Sequence, residues 1–344
     1  RLARPPYAPR ERDALLDSLS TELGLGPDQL GAFRTLLGHY VRADVLATRY
    51  QRLYQYANVA MYTLAVVAIA VVAFQSLFLP GMAVVVWLEV AALIATVVLL
   101  RRENSQGWHR RWLNYRYLAE RYRAGVFLAA AGTDPRSERD SKAIPFDEDV
   151  WMNNHFERVF YNLENLPHYE DEAAVAALRD FLITYWLEDQ AHFHRRTIER
   201  KERADHRLHQ AGLVLYTATI IAAVLHASHG VEKLVHAAGI KWAFFHKPGP
   251  HHHFVLGNFL TFAALVFPAV GASINAIRTQ FDFGKRVQNS EKMVEGLEEI
   301  IARARAVHTM PALFDILYEV EEHLMSENQQ WFAAASLRKL MLPG

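Results

Sequence analysis

Residues 57–100 read ANVAMYTLAVVAIAVVAFQSLFLPGMAVVVWLEVAALIATVVLL. From Ala57 to Leu79 no side chain is charged, and a helix of that length, rising ~1.5 Å per residue, crosses the ~30 Å hydrocarbon core of a bilayer. Pro80 and Gly81 then break the helix, and Met82 to Leu100 carries a single charge, Glu89. Two apolar helices joined by so short a turn form a hairpin whose two ends lie on one side of the membrane.

A second pair lies downstream. Residues 210–225 are apolar but short for a span, and they reach bilayer thickness with Ala227 and Ser228. Residues 254–277 are uncharged and long enough, with Pro268 expected to kink the helix and Gly271 to allow close contact with a neighbour. Spans are thus expected at 57–79, 82–100, 210–228 and 254–277. Arg42, Arg49 and Arg52 precede the first hairpin, and Arg101, Arg102, Arg110 and Arg111 follow it. Arg200, Lys201, Arg203 and Arg207 precede the second, and Arg278, Lys285 and Arg286 follow. Basic flanks mark the cytoplasmic side, so both hairpins share one orientation and both termini are expected in the cytoplasm.

After the first hairpin, Trp108, Trp112, Tyr115, Ala119 and Tyr122 recur at alternating steps of four and three, the spacing of a helix–helix seam. Such a face suits an assembly helix. Val287, Met293, Leu297, Ile300 and Ile301 follow the second hairpin in a similar way. The fold class expected is an all-α integral membrane protein, with four transmembrane helices in two tandem helix-hairpin-helix units and cytoplasmic helical extensions. Its expected parts are a helical lead-in at 1–50 with a turn at Gly24 to Pro27, a first hairpin unit at 51–131, and a loop and helical connector at 132–207. A second hairpin unit at 208–306 and C-terminal cytoplasmic helices at 307–344 complete it.

Composition narrows the function. The 37 basic residues balance 37 acidic ones across 344 positions, so bulk charge gives no reason to expect nucleic acid as a partner. Without cysteine, disulfides, thiolate nucleophiles and Cys-type zinc sites are excluded. The first residues lack the apolar core of a signal peptide, and a further domain is expected upstream of Arg1. No phosphate loop, zinc-protease helix or nucleophile elbow is present, so neither an enzyme nor a cofactor is expected.

Among single residues Glu89 is the most informative. A carboxylate within a span costs ~2.5–3.5 kcal/mol on insertion scales and faces protein or water. Two readings stand: a pore-lining or gating carboxylate that recurs as a ring in an oligomer, or a hydrogen-bonded residue that fixes hairpin packing. Asn58, Thr63, Gln75, Thr217, Asn258, Thr261 and Asn275 either line the same path or hydrogen-bond across helices. His246, His251 and His253 are weak metal candidates, set against a plain solvated loop.

The residues around the first hairpin resemble the SLATT-type two-span effector domains of bacteria. RYQRLYQYANVAMYT enters the first span, the Pro80-Gly81 turn is minimal, and Trp108, Trp112, Tyr115, Arg116, Ala119, Glu120 and Arg123 give the spacing W..YR..AE..R. The second unit carries YWLEDQAHFHRRTIERKERADHRLH, similar to the opening of related domains, while the long loop from Ala227 to His253 departs from the family's short turns. The resemblance implies an oligomeric pore or membrane-disrupting assembly in the bacterial inner membrane, used in anti-phage defence. It also implies gating by a nucleotide second messenger through a SLOG-type sensor. The alternative is a non-conducting scaffold or receptor that recruits a cytosolic partner.

Four spans make a firm expectation for handling. The chain should stay with membranes through an alkaline wash and need detergent to remain monodisperse; a folded, monodisperse species in plain buffer would contradict the spans.

Overall fold

The computed structural model describes residues 9–133, 151–227 and 255–336. Most of the loop from Ala227 to His253, with its histidines, and most of the stretch from Gly132 to Glu148 lie outside them. The described residues are helical without strands. In chain order the helices are α1 (Pro9–Glu22), α2 (Pro27–Phe78), α3 (Val86–Gln106), α4 (Trp108–Ala130), α5 (Trp151–Phe160), α6 (Glu172–Leu182) and α7 (Asp189–Ala227). They continue with α8 (Val255–Phe281), α9 (Phe283–Ala304) and α10 (Met310–Ser336).

Local chemistry explains the breaks. Gly24 takes a left-handed φ of 65° after α1, and Pro27 opens α2 at the first helical position, where its missing N–H costs nothing. Between α2 and α3 only the Pro80-Gly81 turn and a short 3-10 segment (Ala83–Val85) intervene. Gly107, at φ 58°, separates α3 from α4, a conformation that side-chain-bearing residues rarely adopt. Asp171 caps α6 by accepting the Ala174 N–H at 2.7 Å. A π-helical turn (Ile183–Glu188) then joins α6 to α7 without a break. There Trp186 stacks on Phe127, with ring centroids 5.0 Å apart.

The lead-in helix and the first span, which the sequence reading separates, form one helix, α2. The connector expected as a single helical stretch up to Arg207 is divided at residues 161–171. Pro268 lies inside α8 without ending it.

The chain forms two compact units interleaved along the sequence, one of residues 1–54, 106–200 and 285–339, the other of residues 55–105, 201–284 and 340–344. This grouping follows apolarity and not chain order, since the apolar stretches of all four long helices belong to the second unit, and α4 and nearly all of α9 to the first.

In the first, packed unit, α4 is buried along most of its length, with α5 and α10 against it. Leu19, Phe33, Leu36, Ala119, Tyr122, Leu128, Leu178, Leu297 and Val320 are fully buried. Close approach relies on small residues: a Cβ on Gly125 would stand 2.8 Å from the Phe156 ring, and one on Gly296 would stand 2.6 Å from His323. α4 ends in a Schellman motif, in which Gly132 N–H bonds Ala129 O at 3.0 Å and Thr133 N–H bonds Leu128 O at 3.1 Å. Tyr169 donates to Ala130 O at 2.8 Å and occupies a further terminal carbonyl.

The second, membrane unit inverts this pattern. Four helices are long and apolar enough to cross a membrane. Their buried positions are mostly small or polar, namely Ala57, Asn58, Ala68, Ala73, Ala92, Thr96 and Ala222, with Met61 and Val266. Large apolar side chains point outward: Trp87 is 70% exposed, Tyr216 66% and Leu88 60%, with Ile94, Val214 and Val224 similar. In water this surface would be strongly unfavourable at ~25 cal/mol per Å². In lipid it is the expected one, because association there depends on close backbone packing through small residues.

Gly132 offers a direct test of the packed unit. It has φ 68°, and a Cβ there would meet Pro167 O at 2.2 Å. Gly132→Ala should therefore lower stability by about 1–3 kcal/mol, read as a reduced unfolding temperature, whereas Gly31→Ala, in open space on α2, should not.

Candidate functional site

α3 carries a stripe of polar side chains down one face. Ala92, Thr96 and Glu103 are its buried residues, and Glu89 precedes Ala92 by three positions, so all four share a face at steps of three, four and seven. Thr96 satisfies its hydroxyl by donating to Ala92 O at 2.9 Å. Glu103 is 5% exposed. Across the hairpin Asn58 is 2% exposed, and it lies as far in sequence from the Pro80-Gly81 turn as Glu103 does.

Glu89 lies in the first turn of α3, because the α-helix begins only at Val86. Unpaired N–H groups and the helix dipole favour a carboxylate there. The side chain is half-buried, and among the described residues it forms no hydrogen bond or ion pair.

The other expected path residues do not converge within one chain. Thr63 is exposed and donates to Val59 O at 2.8 Å; Thr261 donates to Gly257 O at 2.9 Å. These bonds to the preceding turn satisfy the hydroxyls locally. Asn258 donates to Leu77 O at 2.7 Å, tying α8 to the last turn of α2, and Phe78 meets Phe259 beside it at 4.9 Å between ring centroids. It is therefore a clasp between the hairpins. Gln75 is half-buried, whereas Thr217 and Asn275 lie on exposed faces.

The seam read as an assembly helix finds its partner inside the chain. Trp108, Trp112, Ala119 and Tyr122 are buried, with Trp112 against Tyr54, Tyr115 stacked on Tyr50 at 5.8 Å and Tyr122 stacked on His39 at 5.2 Å. Spacing specifies that a helix packs along this face; it does not say whose. The answer is α2.

A cluster of partly buried charge, not singled out from the sequence as a site, occupies the packed unit. On α4, Arg116 ion-pairs with Glu120 and stands 3.8 Å from Asp44 of α2, while Arg123 reaches Glu120 at 3.2 Å. Burial opposes ionisation of Glu120, but Arg116 and Arg123 outweigh it and hold its pKa below the ordinary value. Beside them His194 of α7 lies 3.3 Å, at Nδ1, from the Ser290 hydroxyl of α9. Burial pushes the His194 pKa down to about 4; Glu120 resists this, while Arg123, Arg116 and His323 of α10 add to it. Arg121 lays its guanidinium over the Phe156 ring at 4.6 Å. Arg116, Glu120 and Arg123 had stood out in the sequence only as parts of a spacing pattern. Their steps of four and three were the signal that they share one face.

Among the described residues no group of three or more His, Asp or Glu side chains is placed to hold a metal ion. His246, His251 and His253 lie outside the described residues. No protein-family model, curated protein or solved structure matches the chain.

The His194 environment predicts a pH dependence. With a native pKa near 4 against about 6.5 unfolded, the unfolded chain binds more protons between those values, so stability falls as pH drops through that window. Between pH 7 and 4.5 the loss from this group is on the order of 2 kcal/mol. Unfolding of wild type and His194→Gln across this range should show a shallower acid slope in the variant; parallel slopes would contradict the assignment.

Proposed function

We propose that the chain is a membrane effector of the bacterial inner membrane that conducts ions as a homo-oligomer, with its termini in the cytoplasm. The observation that carries this reading is Glu89, a carboxylate on an apolar helix with no partner among the described residues. A charge so placed is stabilised by water or by neighbouring subunits. Repetition of Glu89 around an axis would give a ring of carboxylate oxygens favouring cations.

Gating requires that a signal bind open and closed states unequally. α2 runs without interruption from the packed unit into the membrane unit, and so does α7. Two continuous helices thus couple any rearrangement of the packed unit to the spans. The likeness of the first hairpin to SLATT-type domains supports a nucleotide signal, received through a sensor domain joined to or bound by the packed unit. The rival reading, a non-conducting scaffold that docks partners on the amphipathic faces after each hairpin, has less support, because Trp108, Trp112, Met293, Leu297 and Ile300 are buried in the chain's own core.

Reconstituted into liposomes with its sensor and activating nucleotide, the protein should pass cations, and Glu89→Gln should reduce cation-over-anion selectivity several-fold. Unaltered currents would remove Glu89 from the path. Absence of current under activating conditions would favour the scaffold.

A further inference from the structure

The third and fourth spans, α7 and α8, run antiparallel within the membrane unit. At one end Arg278 donates to both oxygens of Asp205, at 2.8 Å and 3.0 Å. Toward the other end Thr261 stands 3.5 Å from His226 Nδ1. Between these points Gly212 and Gly271 fall opposite each other in the register set by the ion pair. In a membrane, facing glycines ordinarily let two backbones touch. Here they do not: a Cβ built on either residue meets nothing within 4 Å. The result is a cleft of about 360 Å³, walled by Leu208, Gly212 and Tyr216 of α7 and by Phe267, Pro268 and Gly271 of α8.

Leu213 and Tyr216, at its edge, are 52% and 66% exposed, so the cleft opens on the surface that faces hydrocarbon. A void there forfeits the dispersion contacts of every atom lining it. Water does not fill it, since its wall is nearly all apolar and a buried water needs two to four polar partners. A single hydrocarbon chain suits the shape and the chemistry.

The polar groups are gathered at the charged end. Arg278, His209 and Asn275 line the cleft there, and the third guanidinium nitrogen of Arg278, Nη1, has only a long contact, 3.4 Å, to His209 Nδ1. Asp205, held through both its oxygens by Arg278, is not among the lining residues. The free side of the guanidinium suits a phosphate.

We infer that the cleft between α7 and α8 binds one glycerophospholipid, its acyl chain lying along Gly212 and Gly271 and its phosphate at Arg278. The inference rests on the reading of α7 and α8 as membrane spans.

The test uses the full chain in lipid nanodiscs doped with a phospholipid whose acyl chain carries a photoreactive group, with cross-links mapped by mass spectrometry. Cross-links should concentrate on residues 208–216 and 267–275 and fall several-fold in the double variant Gly212→Leu, Gly271→Leu. That variant fills open space and leaves the Arg278–Asp205 pair intact. Unlabelled glycerophospholipid should compete better than a diacylglycerol of the same chains, which lacks the phosphate. Labelling spread evenly over the outward apolar faces, or unchanged in the double variant, would overturn the site. Equal competition by the two would overturn the phosphate at Arg278. If the spans themselves are misread, the protein will not enter nanodiscs at all, which separates that failure from the absence of a cleft site.

Discussion

Hydrocarbon offers no hydrogen bonds, so every backbone N–H and C=O that enters it must find a partner within the segment that carries it. In the membrane unit this constraint selects α-helices and then governs their side chains. Thr63, Thr96, Thr219 and Thr261 each return the hydroxyl to the carbonyl four residues earlier, which satisfies those four donors. Bulky apolar side chains turn toward the solvent, and alanines fill the contacts between helices. The hairpins are held to each other by groups that can act across a dry interface. One is the Asn258 amide on the terminal carbonyl of α2; another is the adjacent phenylalanine cluster.

The packed unit obeys the opposite rule and concentrates its large aromatic and aliphatic side chains inside. Its buried charges are costly, since an ion pair withdrawn from water recovers its desolvation only with good geometry and further hydrogen bonds. In the Arg116–Glu120–Arg123 cluster two guanidinium groups share one carboxylate. His194 stays neutral beside it. A neutral imidazole accommodates the net positive charge of its surroundings, where a second buried carboxylate or a lysine would disturb the balance. Such a cluster specifies which helix faces meet more than it adds stability.

Legibility in the sequence followed how local each property is. The four apolar helices, the Pro80-Gly81 turn and the break before Pro27 depend on residues close together in the chain, and the structure shows each of them. The seam along Trp108, Trp112, Tyr115, Ala119 and Tyr122 was visible as a periodicity, but its partner was not. Glu89 was conspicuous because it interrupts an apolar run. Glu103, next to the basic flank, carried no signal in the sequence and is among the most buried carboxylates. Asp44 and His194, both in charged stretches, were camouflaged in the same way.

The amino-acid order alone therefore determined that the chain is helical and that four of its segments suit hydrocarbon, because length, hydropathy and helix breakers act over a few turns. Only the tertiary structure decided that the four apolar stretches gather into one unit, that α4 packs its aromatic face on α2, and that Gly212 and Gly271 face each other across open space. These are choices among helix faces that pack equally well in principle. The competition is settled by contacts between residues far apart in the chain, which no local pattern records.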